Sequence, residues 1–398
     1  MNNRIFIIAL VIVLGLPGSV FAQSSAELEE LKAQVEALNA RIAELERRDQ
    51  ESKEAETTAR AEAPAAGESE GTGAKPSWSD RISLKGDFRY RFEGIDEEGL
   101  DNRNRQRMRA RFSLSAMVNE TTRVGMELST GGNNPRSRDQ TLDGDASAKD
   151  ITLRQAYVNW KPVDQLGLTA GKMPQPWSRT PVDYFYDSDY MPEGLAVQLD
   201  APAGFYGKGY WLQIDERGGD DDTSVWGGEV GYAGDVFYAS LGYQDFEDIE
   251  GFNPCYQGNC NGNTVDANGN LVFDYNVTRL RAGAKFAGFN LFGSWARNGD
   301  AEEDTAYSYG AVYGKVDDPG TWSVAAAYHD VEKDALYGGM IDATFAGGRS
   351  ANDGYSIKGT YALARNWVGS FIWFDTTTDK LGNPHDYNRY QLDLLWKF

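Results

Sequence analysis

Between Arg103 and Arg111 every odd position is arginine, while from 108 onward Met108, Ala110, Phe112, Leu114, Ala116 and Val118 hold the even ones. Successive side chains of a β-strand point to opposite faces, so this segment carries a row of guanidiniums on one face and an apolar stripe on the other. A closed protein core rejects such a row, because unpaired buried charge is costly. A strand between lipid and a wet lumen requires it. The same period governs the preceding segment, where Ile82, Leu84, Gly86, Phe88, Tyr90 and Phe92 alternate with Arg81, Ser83, Lys85, Asp87, Arg89, Arg91 and Glu93. It returns at the end, where Tyr390, Leu392, Leu394, Trp396 and Phe398 alternate with Arg389, Gln391, Asp393 and Lys397.

Composition agrees once strands replace helices as the spanning element. Mean hydropathy is −0.54, and after residue 22 no apolar run reaches the roughly 18 residues a spanning helix needs. A helical transporter is therefore excluded, whereas alternating strands average to a hydrophilic composition. A net charge of −21 argues against nucleic acid as a partner. Alternation and turn signals give sixteen candidate strands over residues 78–398, predicting an all-β, sixteen-stranded antiparallel transmembrane β-barrel with outer-membrane lipid around it. Short turns are expected at 119–121, 161–165, 201–204, 233–235, 287–288, 317–320 and 364–366. Longer connections, at 133–149, 174–193, 247–274 and 332–353, belong to the opposite end. Trp78, Trp160, Trp211, Trp226, Trp322 and Trp367 fall near strand ends, where interfacial aromatic girdles sit. Near Arg154, Phe292 and Ile372 both parities carry apolar groups, and the facing direction stays open.

Three segments precede the barrel. Residues 1–22 read as a signal peptide, with Arg4, an apolar Ile5–Leu16 stretch and Val20-Phe21-Ala22 before a cleavage site at Gln23. Residues 23–48 carry Leu28, Leu31, Val35, Leu38, Ile42 and Leu45 at alternating steps of three and four, the seam of a short α-helical coiled coil expected in the periplasm. Residues 49–77, rich in Glu, Ala, Gly, Ser and Thr, read as a flexible linker.

The two cysteines, Cys255 and Cys260, lie in a polar Gly/Asn-rich stretch of an exported chain, which points to one local disulfide. With only His329 and His385 as histidines, no metal site, cofactor or nucleophile–base arrangement is expected, and the chain does not read as an enzyme. Asp266, Asn268 and Asn270 lack the glycine and closing glutamate of a calcium loop.

Gly86-Asp87-Phe88-Arg89-Tyr90-Arg91, the 103–111 run, Arg154-Gln155-Ala156-Tyr157-Val158 and Gly171-Lys172-Met173 resemble the Gram-negative "putative porin" family related to phosphate-selective porins. The heptads resemble those before the trimeric dicarboxylate-channel porins, and the terminal Phe398 resembles the signal read by outer-membrane assembly machinery. The resemblance implies a homotrimer in the bacterial outer membrane whose third long loop folds inward. On that reading Arg179, Asp183, Asp187, Asp189 and Glu193 lie on the constriction loop. Arg89, Arg91, Arg105, Arg107, Arg109, Arg111, Arg279, Arg281 and Lys358 line the lumen, with Lys285 on the same parity. The function expected is passive diffusion of small hydrophilic solutes with a bias toward anions. The alternative is a structural barrel tethering the outer membrane to peptidoglycan through the coiled coil.

Overall fold

The computed structural model describes residues 81–380 and 382–398. The signal peptide, coiled coil and linker lie outside the described residues. Seventeen strands follow one another: β1 Ile82–Glu97, β2 Arg103–Met117, β3 Thr122–Thr130, β4 Gln140–Thr141, β5 Ile151–Val163, β6 Leu166–Lys172, β7 Glu193–Asp200, β8 Phe205–Asp215, β9 Thr223–Ala233, β10 Phe237–Glu247, β11 Asn276–Phe286, β12 Phe289–Asn298, β13 Thr305–Gly314, β14 Trp322–Val331, β15 Asn352–Ala364, β16 Trp367–Thr378 and β17 His385–Lys397. All but β4 form the wall. Each wall strand pairs antiparallel with its neighbours, and β1 pairs with both β2 and β17, so the sheet closes into a sixteen-stranded barrel without an edge. The two-residue β4 pairs with β2 at Arg107 and Met108, beyond the Arg111–Ser129 pair where the β2–β3 ladder stops.

The expected end asymmetry is present. Connections at one end are as short as 287–288 and 365–366, and those at the other include the long segments 131–150, 173–192, 248–275 and 332–351. Alternation sorts the wall as anticipated. Phe112, Leu195, Leu241, Leu280 and Leu392 are exposed on the outer face. So are Trp160, Trp211, Trp226, Trp322 and Trp367. Arg91, Glu93, Arg109, Gln391 and Asp393 are buried toward the inside.

The ambiguous positions have a packing explanation. Leu212, Val225, Phe246, Val277, Ala296, Ala306 and Val331, on the inner parity, form one cluster with Trp177, Phe185, Tyr186, Leu271, Tyr275, Tyr337 and Met340 from the long connections. Phe292 joins Tyr238 and Ala327 against Val182, and Ile372 with Phe374 packs on Phe345 and Tyr184. Apolar residues therefore face inward where a loop folds into the barrel and covers them, each fully buried side chain contributing about 1.5–3 kcal/mol. At Arg154 the cause is local. A register shift between Leu153 and Gln155 turns it inward onto Glu127 and Asp189.

The closing seam depends on one glycine. Gly86 and Phe398 exchange backbone hydrogen bonds of 2.8 and 3.0 Å. The Phe398 ring covers Gly86 and meets Phe112 edge-on at 5.5 Å. A Cβ at Gly86 falls 2.5 Å from two ring carbons and 2.7 Å from the Arg111 carbonyl oxygen. Gly86→Val is therefore expected to lower the urea midpoint of the refolded barrel by the equivalent of about 1–3 kcal/mol, with β-sheet circular dichroism retained in its absence. An unchanged midpoint contradicts this account of the seam.

Candidate functional site

The β1–β2 hairpin sets Arg89 opposite Arg109 and Arg91 opposite Arg107. Like charges directly across a ladder repel, and four carboxylates interleave them. Asp87 accepts from Arg109 at 3.0 Å and from Arg111 at 2.7 Å. Asp393 of β17 takes Arg91 in a two-toothed pair, both contacts 2.6 Å. Glu93, fully buried, accepts from Arg105, from Arg389 and, at 2.7 Å, from Gln391. Asp139, from the connection before β4, meets Arg89 at 2.5 Å, Arg91 at 3.4 Å and Arg107 at 3.5 Å. Seven guanidiniums thus share four carboxylates, leaving this wall three positive charges in excess. Lys358 on β15 faces the same space.

Across from this wall lies the 173–192 connection between β6 and β7, the fifth and sixth wall strands. Its carboxylates are largely engaged. Asp183 accepts from the Thr180 and Phe185 amides, Asp187 from those of Asp189 and Ala343, and Asp189 pairs with Arg154 at 3.2 Å. Arg179 donates to the Asp183 and Tyr186 carbonyl oxygens, curling the loop on itself. Arg279 and Arg281 stand beneath the loop. Arg279 donates to the Ser178 carbonyl at 2.8 Å and pairs with Glu229 at 3.2 Å, while Arg281 donates to the Arg179 carbonyl at 2.9 Å. Both clamp the loop to the wall. Glu193 opens β7, exposed, and pairs with Lys172 at 2.6 Å, on neither side of the cavity that Asp183, Asp187 and Asp189 line.

Between wall and loop remains a cavity of about 990 Å³. Arg89, Arg91, Arg105, Arg107 and Arg109 line one side and Arg179, Asp183, Asp187 and Asp189 another, with Asp342 and Thr344 from 332–351 and Asn259 and Asn261 from 248–275 completing it. Nine cationic and seven acidic side chains reach this lining, so its sign is set by position and pairing more than by count. Arg111 stands outside it. Cys255 and Cys260 are bridged and buried in the loop cluster, beside the asparagines at the cavity rim. Among the described residues no group of three or more metal-ligating side chains occurs.

Sequence reasoning passed over Asp139, Arg136, Asp342, Glu93, Arg389 and Asp393 as site members. Glu93, Arg389 and Asp393 were visible through parity, since they share the inner face with the arginines. Asp139 and Arg136 belong to a connection without periodicity and gave no such signal. Arg136 donates to the Ile341 and Gly348 carbonyls at 3.2 and 2.9 Å and to the Asn261 side chain, tying three long connections together.

Comparison with known proteins fits this geometry. A family model described as "Putative porin" matches residues 96–214 and 239–398. The chain belongs to this porin family. Among solved structures, a triple mutant of the Rhodopseudomonas blastica porin is 16% identical, covering 80% of this chain and 100% of that one with a TM-score of 0.50. OprB of Pseudomonas putida is 13% identical, covering 80% and 95%, with a TM-score of 0.55. At these identities the likeness is one of fold. No curated protein matches the chain.

Two carboxylates of the inward-folded connections hold their protons more tightly than an exposed carboxyl does. Burial first, then the charges of Asp342 and Asp189, push the Asp187 carboxyl well above the usual carboxylate range, and burial raises Asp342 as well. A raised native value means the folded state holds the proton more tightly than the unfolded one. The docked-loop contribution is therefore full below about pH 4 and declines as pH climbs through the raised values. Asp342 uses a single oxygen to accept from the Thr344 and Phe345 amides, at 2.7 and 3.1 Å, so an asparagine there preserves both bonds. Asp342→Asn is expected to narrow the difference in amide exchange of 173–192 and 332–351 between pH 5 and pH 8, after correction for intrinsic rates, leaving the part that burial of Asp187 causes. The parent protein should be less protected at pH 8. Equal protection at both pH values in the parent contradicts the raised acid values of the docked loops.

Proposed function

We propose that the protein is an outer-membrane channel for passive diffusion of small hydrophilic solutes, biased toward anions by Arg89, Arg91, Arg105, Arg107, Arg109 and Arg111. The observation that carries this reading is the excess of seven guanidiniums over four carboxylates along this wall, six of the seven reaching the cavity and Arg111 lying outside it. Guanidiniums remain charged at any workable pH and present donors suited to carboxylate and phosphate groups. Spaced ~6–7 Å along one strand face, they offer an anion a series of weak positions between which it steps. The net charge of −21 does not cancel this, since charge on distant surfaces is screened within roughly 8 Å at physiological salt.

In this proposal Lys358 extends the basic surface, while Arg279 and Arg281 act by holding the 173–192 loop as the constriction, with Asp183, Asp187 and Asp189 on it. The heptads of residues 23–48 support self-association on the periplasmic side, and the trimer itself rests on the likeness to trimeric porins.

Arg107 and Arg109 test the bias. Asp139 keeps Arg89 and Arg91 when Arg107 is removed, and Asp87 keeps Arg111 when Arg109 is removed, so neither loss strands a carboxylate. Changing both to Gln is expected to shift the reversal potential in a salt gradient toward cation preference, with conductance retained. An unchanged reversal potential removes these side chains from the ion path and overturns the reading.

A further inference from the structure

Asp139 occupies a place that its own loop does not explain. The connection leaves β3 at Thr130, turns inside the barrel, and returns to the wall at β4 immediately after Asp139. Thr130 Oγ accepts from the Ala110 amide at 3.0 Å and donates to the Arg138 carbonyl at 3.2 Å, and β4 is paired to β2, so both ends of the excursion are fastened. At its end the Asp139 side chain, only 5% exposed, is the meeting point of three guanidiniums from two strands. Arg107 donates further, at 3.2 Å, to the Asp139 backbone oxygen and to Ser137 Oγ. Burial alone would raise the Asp139 carboxyl, yet the charges of Arg89, Arg91 and Arg107 hold it below the usual range, so it stays ionised.

Three guanidiniums on one carboxylate exceed what charge pairing of an aspartate needs. They match what a dissolved oxyanion asks of a receptor. The seat is also independent of its occupant, because Arg91 is held separately by Asp393 and all three arginines project from paired strands. We propose that Arg89, Arg91 and Arg107 form an oxyanion-binding site for the carboxylate or phosphate group of a permeating solute, and that Asp139 is its tethered competitor. The inference rests on the anion-channel reading above. A tethered group competes at a local concentration no dilute solute reaches. A passing oxyanion is then held briefly, which conduction requires, instead of lodging in the pore.

The test is Asp139→Ala in planar bilayers, with chloride current recorded as sodium acetate or inorganic phosphate is added. The variant is expected to be blocked saturably, at a half-blocking concentration about tenfold or more below that of the parent, as loss of one charged competitor implies. A lower value for acetate assigns the seat to carboxylates, and a lower value for phosphate assigns it to phosphates. Acetate should also return the variant's reversal potential toward that of the parent by refilling the seat. Asp139→Asn removes the charge but keeps most of the bulk, so its half-blocking concentration should fall between those of the parent and the alanine variant. Should the alanine variant fail to assemble, Asp139→Ser serves in its place. If the reversal potential of Asp139→Ala moves toward anions while neither oxyanion blocks better than in the parent, the binding site is refuted and the anion-channel reading stands. If the reversal potential does not move either, both fall.

Discussion

A sheet that faces lipid has no solvent to satisfy its backbone, so every amide and carbonyl of the wall must find a partner within the wall. In this porin that requirement is met by closing β1 onto β17 around Gly86 and Phe398. Once the ring is closed, every residue of the wall has one of two sides. The outer side accepts Phe112, Leu280 and Leu392, and the arginines in the middle of β1 and β2 lie on the inner one, while outer-parity charges such as Arg297 and Asp375 fall toward strand ends. The crowding of arginines against one another inside the barrel is thus a consequence of closure.

Crowded charge then determines what the interior can be. Arg89 faces Arg109 and Arg91 faces Arg107 across a single ladder, and Asp87, Glu93, Asp139 and Asp393 set among them offset the repulsion. Breaking a buried pair costs about 3–5 kcal/mol where it leaves a charge uncompensated, whereas the three arginines on Asp139 have second carboxylates within 4.0 Å, Asp393 for Arg89 and Arg91 and Glu93 for Arg107. The opposite half of the barrel solves a different problem. Its inner parity is apolar at Leu212, Phe246, Val277 and Phe292, and the long connections fold in to cover it. What is left between a paired but cationic wall and a packed loop is the opening itself.

The wall was legible in the sequence because its determinant is local: a period of two, read at Arg103–Val118 and again at Tyr390–Phe398, carries strand, face and lipid contact together. Turn positions followed from the same reading, since a run of alternation ends where Gly, Asn and Asp gather. The interior was legible only in part. Parity placed the arginines inward beside Asp87 and Glu93 but did not show that Asp393 and Arg389 of β17, some 300 residues away in the chain, and Asp139 of a loop without periodicity meet them there. Phe292 and Ile372 remained ambiguous for the same reason, because the loop that makes an inward apolar residue favourable is distant in sequence. Arg279 and Arg281 have the right parity for a lumen surface, yet the 173–192 loop covers them, and no local pattern reveals that.

The central claim is that the paired wall keeps a cationic surplus which governs passage, against an acidic chain as a whole. Its most direct test is the reversal potential of the purified, unmodified full-length protein reconstituted in a planar bilayer separating dilute from concentrated potassium chloride. The account predicts open channels whose reversal potential has the sign of chloride preference and moves toward zero when both solutions are raised to high ionic strength, as screening of the arginine surplus requires. A potential of the opposite sign, or channels that discriminate equally at low and high salt, contradicts it.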